Sequence, residues 1–271
     1  MGGHHRPAAG GGDVSEAPRF FAGTVQRAGP GFVAWLPEDE AHHAARVLRL
    51  RPGDAAIVLD DSGYEHVGAV AAVELSRGRV SVRVEGSVVR PAAGEPRVAV
   101  TLIQALPKGD KMDTIVQKGT ETGVARFVPA RSERVVVEYT GAKAEQRRAR
   151  WQKIANEAAK QARRGRRPVV EPVAELLDAV AARRGEEVLV LWEQAETPLK
   201  SVLRELGSRG SRRVALVVGA EGGFSPREAA EMERLGGRLV SLGPRILRTE
   251  TAGPVACALV LYELDGGEAA P

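Results

Sequence analysis

The sequence predicts an α/β protein in which a small strand-rich domain precedes a mostly parallel sheet covered by helices. Beyond residue 97, short apolar strands alternate with helices, which is typical of parallel sheets. Two of these strands, Val98–Leu102 and Val214–Val218, are almost continuously apolar, as expected of strands that are buried on both faces. Before residue 87, several short strands follow one another closely, which indicates a small β-barrel.

The amino-terminal domain is predicted to span residues 19–86. Its clearest strands are Phe32–Leu36 and Ala55–Leu59, and a short helix is expected between them, from Pro37 to Leu48. Residues 67–85 alternate between apolar and polar positions around a Ser-Arg-Gly turn, which predicts a hairpin. Small barrels of this kind often bind RNA, although a fold alone does not define a function.

Three segments are predicted to lie outside the packed domains. Residues 1–18 are rich in glycine and alanine and lack the apolar stretch of a signal peptide, so we expect a disordered tail. Residues 87–96 carry two prolines and a glycine and are interpreted as a linker. Residues 266–271 are expected to form a flexible tail, which leaves residues 97–265 for the α/β domain.

The composition is that of a soluble globular protein, with 43% apolar and 27% charged residues. No apolar run approaches the roughly 18 residues that would span a bilayer. Cys257 is the only cysteine and lies in an apolar run, so we expect a buried thiol and no disulfide. We therefore expect a cytoplasmic protein with no membrane segment and no metal.

Positive charge is concentrated in one segment. The chain has 39 Lys and Arg against 35 Asp and Glu, a net charge of +4. Residues 143–167 alone contain ten Lys and Arg against Glu145 and Glu157. Such a one-sided excess suits a polyanion, most simply a nucleic acid. The alternative is a solvated helix face without a partner.

The α/β domain can be read in order as alternating elements. The strands are predicted at Val98–Leu106, Arg126–Pro129, Val188–Trp192, Val214–Val218 and Arg238–Leu242. The helices are predicted at Asp110–Thr122, Ala144–Ala162, Pro198–Leu206 and Pro226–Leu235, with a last helix that ends near Leu264.

Two glycine-containing loops follow predicted strands in this domain. The first, GAEGGF, is followed by Ser225, Pro226 and Glu228, which predict a helix start with a capping box. The second begins at Gly243-Pro244 and leads into the last helix. Ligands of parallel α/β sheets gather at the carboxyl ends of strands, so two such loops can form one pocket. A tight strand-to-helix turn is the alternative for either loop alone, and neither has the phosphate-binding P-loop pattern.

These loops carry a family resemblance. GAEGGFS and LGPRILRTETA resemble the RsmE family, the small-subunit ribosomal RNA uridine-N3 methyltransferases of the SPOUT superfamily. Further blocks agree in the same order, and the resemblance covers residues 19 to 264. These blocks are VLR with GD at residues 47–54, LPKGDKM at 106–112, QKGTETGV at 117–124, RSER at 131–134 and AAKQAR at 158–163. Two departures are Ala220, where the family usually has proline, and Thr122, where leucine is usual.

The resemblance implies a PUA-like barrel followed by a SPOUT domain with a carboxyl-terminal trefoil knot. It also implies S-adenosylmethionine as cofactor, 16S ribosomal RNA or the small ribosomal subunit as substrate, and an active site at a homodimer interface. The residues implied to hold the cofactor, largely through their main chain, are Leu191, Gly219, Glu221, Gly222, Leu242, Gly243, Ile246 and Leu247.

The catalytic and RNA-binding roles are also expectations. Arg248 is expected to stabilise the negative charge of the deprotonated uridine, and Glu250 or Glu221 to act as general base if its pKa is raised. The polar run from Arg248 to Thr251 is expected to face the substrate and to cap the last helix. The residues expected to contact RNA phosphates are Lys108, Lys111, Arg131, Arg134, Arg163, Arg164 and Arg166.

Three other functions remain open at this point. A ribosome-assembly factor without activity would use only the barrel and the basic segment. A SPOUT enzyme that methylates another RNA position, such as a ribose hydroxyl, would share the same loops. A phosphate-binding hydrolase is permitted by the glycine loops alone, but the sequence lacks the lysine of a P-loop.

Overall fold

The computed structural model describes residues 16–76, 79–135, 139 and 141–265. Residues 1–15 of the predicted amino-terminal tail and the whole predicted carboxyl-terminal tail lie outside this part of the chain. The chain divides into two compact units between Ala92 and Ala93.

The first unit is built on a six-stranded sheet. Its strands are β1 (Arg19–Phe21), β2 (Thr24–Ala28), β3 (Gly31–Trp35), β4 (Ala55–Leu59), β5 (Tyr64–Ser76) and β6 (Arg79–Pro91), in the order β1-β4-β5-β6-β3-β2. All neighbours are antiparallel except β1 and β4. The inward residues of these strands, among them Phe20, Phe32, Val58 and Val84, form a single apolar cluster.

Two predictions for this unit need adjustment. The predicted helix is helix α1 (Glu38–His42) followed by a π-helical turn at His43–Val47. The predicted linker is strand in its first half, because β6 continues to Pro91 and its residues 88 and 89 pair with β5. Pro91 lies at the last position of the strand, where a missing N–H costs little.

The second unit contains a seven-stranded sheet, and every strand pairing in it is parallel, as predicted. Its strands are β7 (Ala99–Ala105), β8 (Val124–Arg131), β9 (Val169–Val170), β10 (Ala174–Glu175), β11 (Glu187–Leu191), β12 (Arg213–Val218) and β13 (Arg238–Val240). The order is β10-β8-β7-β12-β11-β13, and β9 also pairs with β8.

Helices cover both faces of this sheet. They are α2 (Lys111–Glu121), α3 (Gly141–Gln161), α4 (Leu176–Ala181), α5 (Leu199–Ser208), α6 (Pro226–Arg234) and α7 (Thr249–Leu264). Neighbouring residues of a strand point to opposite faces, and Leu102 and Ile103 of β7 accordingly belong to two different apolar clusters. The Leu102 cluster includes residues of α2, α3, α5 and α7, and the Ile103 cluster includes residues of α4 and α6. No helix within the described residues is long and apolar enough to cross a bilayer.

Arg164 has a structural position, and its predicted contact with RNA is wrong. Its side chain is 1% exposed and forms an ion pair with Glu95, with 3.1 Å between Nη2 and Oε1. Its Nη1 donates to the backbone carbonyls of Thr120 and Val124. A guanidinium with these partners inside the protein has no face left for a phosphate.

We expect Arg164→Met to lower the free energy of unfolding by about 3–5 kcal/mol, because it leaves a buried carboxylate without its charged partner. Urea denaturation measures this change. Arg163→Ala is the matched control, since Arg163 is exposed and adjacent; it should change stability by less than about 0.5 kcal/mol. Equal losses in the two variants would contradict the structural role of Arg164.

Candidate functional site

The parallel sheet directs the ends of β7, β11, β12 and β13 to one edge, because parallel strands share their carboxyl ends. The segments that follow β11, β12 and β13 surround a cavity of about 530 Å³, together with Lys111 of α2. This volume lies within the range of about 300–1,000 Å³ that is usual for small-molecule sites. Strand β11 lies between β12 and β13, so residues 191–193 separate the two glycine loops.

All eight residues predicted to hold the cofactor line this one cavity. They are Leu191, Gly219, Glu221, Gly222, Leu242, Gly243, Ile246 and Leu247. The sequence interpretation of two loops that form one pocket therefore agrees with the geometry, and the alternative of two unrelated turns does not.

The first glycine loop is a tight turn. The Gly223 N–H donates to the Ala220 carbonyl over 3.0 Å, and a Cβ at Gly219 would lie 3.1 Å from the Gly223 Cα. A side chain at position 219 would therefore make a tight contact, which the loop could accept only by shifting a few tenths of an ångström. Ala220 is buried, and an alanine there leaves this turn intact. The predicted capping box is present, because Ser225 and Glu228 each accept a hydrogen bond from the backbone N–H of the other.

The second loop needs glycine for a different reason. Gly243 has φ +101°, a left-handed conformation that L side chains rarely adopt. A Cβ at this position would meet no heavy atom within 4 Å, so backbone conformation and not space restricts the residue. The Gly243 N–H is fixed by a hydrogen bond to the Ser241 Oγ at 3.1 Å.

Lys111 and two glutamates form a charged cluster beside the cavity. Lys111 Nζ lies 2.8 Å from Oε1 of Glu221 and 3.4 Å from Oε2 of Glu250. The hydrogen bond to Glu221 raises the pKa of Lys111, against the opposing effect of burial. The structure thus places Lys111 in the cavity wall with two carboxylate partners, where the sequence predicted a contact with RNA phosphates.

Glu221 does not meet the condition set for a general base. Burial alone would raise its pKa, but the hydrogen bonds that it accepts from Lys111 and from backbone N–H groups outweigh burial and lower the pKa. Its carboxylate is therefore ionised and engaged at neutral pH. The condition of a raised pKa is therefore not met by Glu221, and Glu250 is the other carboxylate that was named for the role.

Arg248 and Thr249 point in different directions at the start of α7. Arg248 is exposed, lines the cavity and has no ion pair or side-chain hydrogen bond among the described residues. Thr249 is 6% exposed, and its hydroxyl donates to the Gly219 carbonyl over 2.6 Å. Of the run from Arg248 to Thr251 that was expected to face the substrate, Arg248 and Thr249 line the cavity, whereas Glu250 and Thr251 are not among its lining residues.

The other predicted RNA contacts are on the surface, but some have protein partners. Arg134 donates to the Gly222 carbonyl at 2.8 Å, which connects it to the first glycine loop. Arg131 pairs with Glu175 at 2.7 Å. Lys108, Arg163 and Arg166 are exposed.

Within the described residues, at least five of the ten cations of the basic segment pair with carboxylates, and three of these carboxylates, Asp110, Asp113 and Glu95, lie outside the segment and reduce its excess of positive charge. These pairs are Arg147 with Asp110, Arg148 with Glu145, Arg150 with Asp113, Lys160 with Glu157 and Arg164 with Glu95.

Sequence reasoning missed three residues of the site. Trp192 and Glu193 directly follow β11 and line the cavity, at the same edge of the sheet as the glycine loops. Gln104 lies fully buried near the end of β7 and donates to Thr249. The signal for Gln104 was present, since it is a polar residue within the apolar run 98–106.

Fold and site together define an RNA methyltransferase of two domains. A family model described as an RNA methyltransferase domain matches residues 94–261, and one described as an RNA methyltransferase PUA domain matches residues 36–85.

The chain belongs to the ribosomal RNA small subunit methyltransferase E family. It is 34% identical over 237 residues to the Mycobacterium bovis protein of that name, covering 85% of this chain and 86% of the relative. The Bacillus subtilis protein is also 34% identical, over 84% of this chain and 89% of the relative. The family resemblance predicted from the sequence is confirmed.

Solved structures agree with this assignment. A ribosomal RNA small subunit methyltransferase E from Neisseria gonorrhoeae, bound to S-adenosylmethionine, has a TM-score of 0.76 at 30% identity over 91% of this chain and 98% of its own. A methyltransferase from Legionella pneumophila, also with bound S-adenosylmethionine, has a TM-score of 0.76 at 27% identity, over the same shares of the two chains. The predicted SPOUT-type fold with a PUA domain is confirmed, and the trefoil knot stays a prediction.

We expect Gly243→Ala to weaken binding of S-adenosylmethionine at least tenfold, because the positive φ forces the loop to move. Gly236→Ala is a matched control, since Gly236 has φ +93°, equally open surroundings and no place in the cavity lining. Each variant should lose about 1–3 kcal/mol of stability from backbone strain. Calorimetric titration with S-adenosylmethionine distinguishes the two variants, because only Gly243→Ala should lose affinity. Unchanged affinity in Gly243→Ala would show that this loop is not part of the binding site.

Proposed function

We propose that this protein transfers the methyl group of S-adenosylmethionine to N3 of a uridine in 16S ribosomal RNA. The observation that carries the proposal is that both glycine loops line one cavity, with Arg248 at its wall and without an ion pair within the described part of the chain. The family membership, and the names of relatives that act on the small ribosomal subunit, support the choice of substrate.

The cavity fits the cofactor in size and in chemistry. Residues 219–222, 242, 243 and 245–247 line it, so their main-chain groups can bind the edges of an adenine, while Leu191 offers an apolar contact. S-adenosylmethionine, when bound, supplies a methyl group already activated by its sulfonium. The protein therefore has to activate the acceptor rather than the donor.

Activation of the acceptor requires removal of the N3 proton. We propose that the Glu250 carboxylate accepts this proton and that Arg248 stabilises the negative charge on the two flanking carbonyl oxygens. The N3 lone pair is then free to take the methyl group. Glu250 lies in the first turn of α7 and next to Lys111, so its position is fixed relative to Arg248.

The RNA contacts are proposed at exposed cations of the second unit. Lys108, Arg163 and Arg166 are exposed, and Arg131 and Arg134 combine partial exposure with a protein partner. Such contacts predict an affinity that falls as salt rises, because phosphate binding releases counterions. The target base has to leave its stack to reach the cavity.

A homodimer in the cytoplasm is the proposed form of the enzyme. Val255, Leu259 and Tyr262 of α7 are 37%, 43% and 81% exposed, and their spacing places them along one side of the helix. An exposed apolar stripe of this kind is typical of an interface. A trefoil knot formed by the segment that leads into α7 is part of the same proposal.

The function is tested by nucleoside mass spectrometry of 16S ribosomal RNA from a strain that lacks the gene. N3-methyluridine should disappear and should return when purified protein, cofactor and small subunits are combined. Loss of a different methylated nucleoside would instead support a SPOUT enzyme with another target. No loss of any nucleoside, without binding of the cofactor, would support the assembly factor.

We expect Arg248→Ala to lower the rate of methyl transfer about 10²–10³-fold, the usual effect of removing a group that stabilises an oxyanion. The affinity for S-adenosylmethionine should change less than threefold. Arg245→Ala is the control, because Arg245 is an exposed arginine of the same loop that also lines the cavity. The test measures single-turnover rates of methyl transfer on small subunits. A wild-type rate in Arg248→Ala would refute the role of Arg248.

We expect Leu259→Glu to produce a monomer in analytical ultracentrifugation, because it places a charge within the apolar stripe of α7. The monomer should also lose methyl transfer, since the proposed active site forms between two copies. Tyr64→Glu serves as control at an exposed apolar residue of the first unit, 47% exposed. A dimer that survives Leu259→Glu would place the interface elsewhere.

A further inference from the structure

We infer that Gln104 is a positioning residue, which acts through Thr249 to hold the first glycine loop and Arg248 in a fixed relation. This inference rests on the proposed methyl transfer, because it assigns a role in that reaction to Gln104, which is fully buried and is not among the residues that line the cavity. Neither residue figures among the cofactor-binding or catalytic residues expected from the sequence.

The three groups form a relay of hydrogen bonds beneath the cavity. Gln104 Nε2 donates to Thr249 Oγ1 over 2.9 Å, and Thr249 Oγ1 donates to the Gly219 carbonyl over 2.6 Å. Gln104 belongs to β7, Gly219 follows β12, and Thr249 is the first residue of α7. The relay therefore connects the end of β7, the loop after β12 and the start of α7 at the carboxyl edge of the sheet.

The orientation of the Gln104 amide follows from its neighbours. The groups around Nε2 include the carbonyl oxygens of Ala105 at 3.0 Å, Gly219 at 3.4 Å and Val218 at 3.5 Å. An amide turned the other way would bring its own oxygen against these carbonyls. The donor is therefore directed at Thr249, whose hydroxyl proton remains available for Gly219.

The relay does not act simply as a source of stability. Gln104 Oε1 is buried and has no hydrogen-bond partner among the described residues. A buried acceptor without a partner costs free energy, so an apolar residue of similar length would avoid that cost. The role of the Gln104 amide is therefore to hold Thr249 in place through the hydrogen bond that its Nε2 donates.

The consequence for the site comes from the position of Thr249 in the chain. Arg248 directly precedes Thr249, and Gly219 is the first residue of the cofactor loop. Thr249 thus fixes the distance between the start of α7 and the loop. An error of about 1 Å in such an arrangement can cost 10²-fold in rate, even when the changed residue does not touch the substrate.

The test compares Thr249→Val, Thr249→Ser and Gln104→Met in the full-length protein. Valine keeps the shape of threonine without its hydroxyl, and serine keeps the hydroxyl. We expect Thr249→Val to lower the single-turnover rate about 10–100-fold and Thr249→Ser to recover it to within about threefold of wild type. Gln104→Met should lower the rate about tenfold, with no fall in melting temperature.

Equal rates in Thr249→Val and Thr249→Ser would overturn the inference, as would a loss of rate in Gln104→Met that simply follows a lower melting temperature. Affinity for S-adenosylmethionine, measured by calorimetry, is the second readout: Thr249→Val should bind more weakly than Thr249→Ser. This readout does not depend on the target nucleotide. A wild-type protein that binds the cofactor but leaves uridine N3 unmethylated would refute the proposed function, while the difference in affinity would still test the relay.

Discussion

Parallel pairing of β7, β12, β11 and β13 is the constraint on which the site depends. It brings together four segments that are far apart in sequence, because each strand ends at the same edge of the sheet. Apolar residues on both faces of these strands pack into two clusters, and polar groups gather at the carboxyl ends of the strands. A change in the order of strands would separate the glycine loops, even if each loop kept its own conformation.

Pairing with carboxylates then determines which cations near the site remain available to a substrate. Lys111 is held by two glutamates and Arg164 is enclosed with Glu95, so neither acts as a free surface charge. Arg248 has no such partner among the described residues, although it lies in the same cavity as Lys111. The site thus combines a lysine paired with two carboxylates and an arginine without such a partner among the described residues, a difference that supports the proposed role of Arg248.

The sequence predicted the elements whose signals are local. The capping box at Ser225 and the two glycine loops could be identified because each depends on neighbouring residues. Strands β1, β2, β9 and β10 were missed, and β9 and β10, with two residues each, are too short for a periodic pattern. The role of Arg164 could not be predicted, because its partner Glu95 lies 69 residues away and only the fold brings them together.

The sequence located the two glycine loops correctly, but it explained only in part why glycine occurs at positions 219 and 243. The sequence indicated close approach of a ligand, whereas Gly219 is favoured by the close approach of Gly223 and Gly243 by its positive backbone angle. Both restrictions shape the cavity before any ligand enters it, and Thr249 adds a third by holding the Gly219 carbonyl from below. The cavity is therefore pre-formed by the folded chain, and a ligand that enters it has little of the backbone left to order.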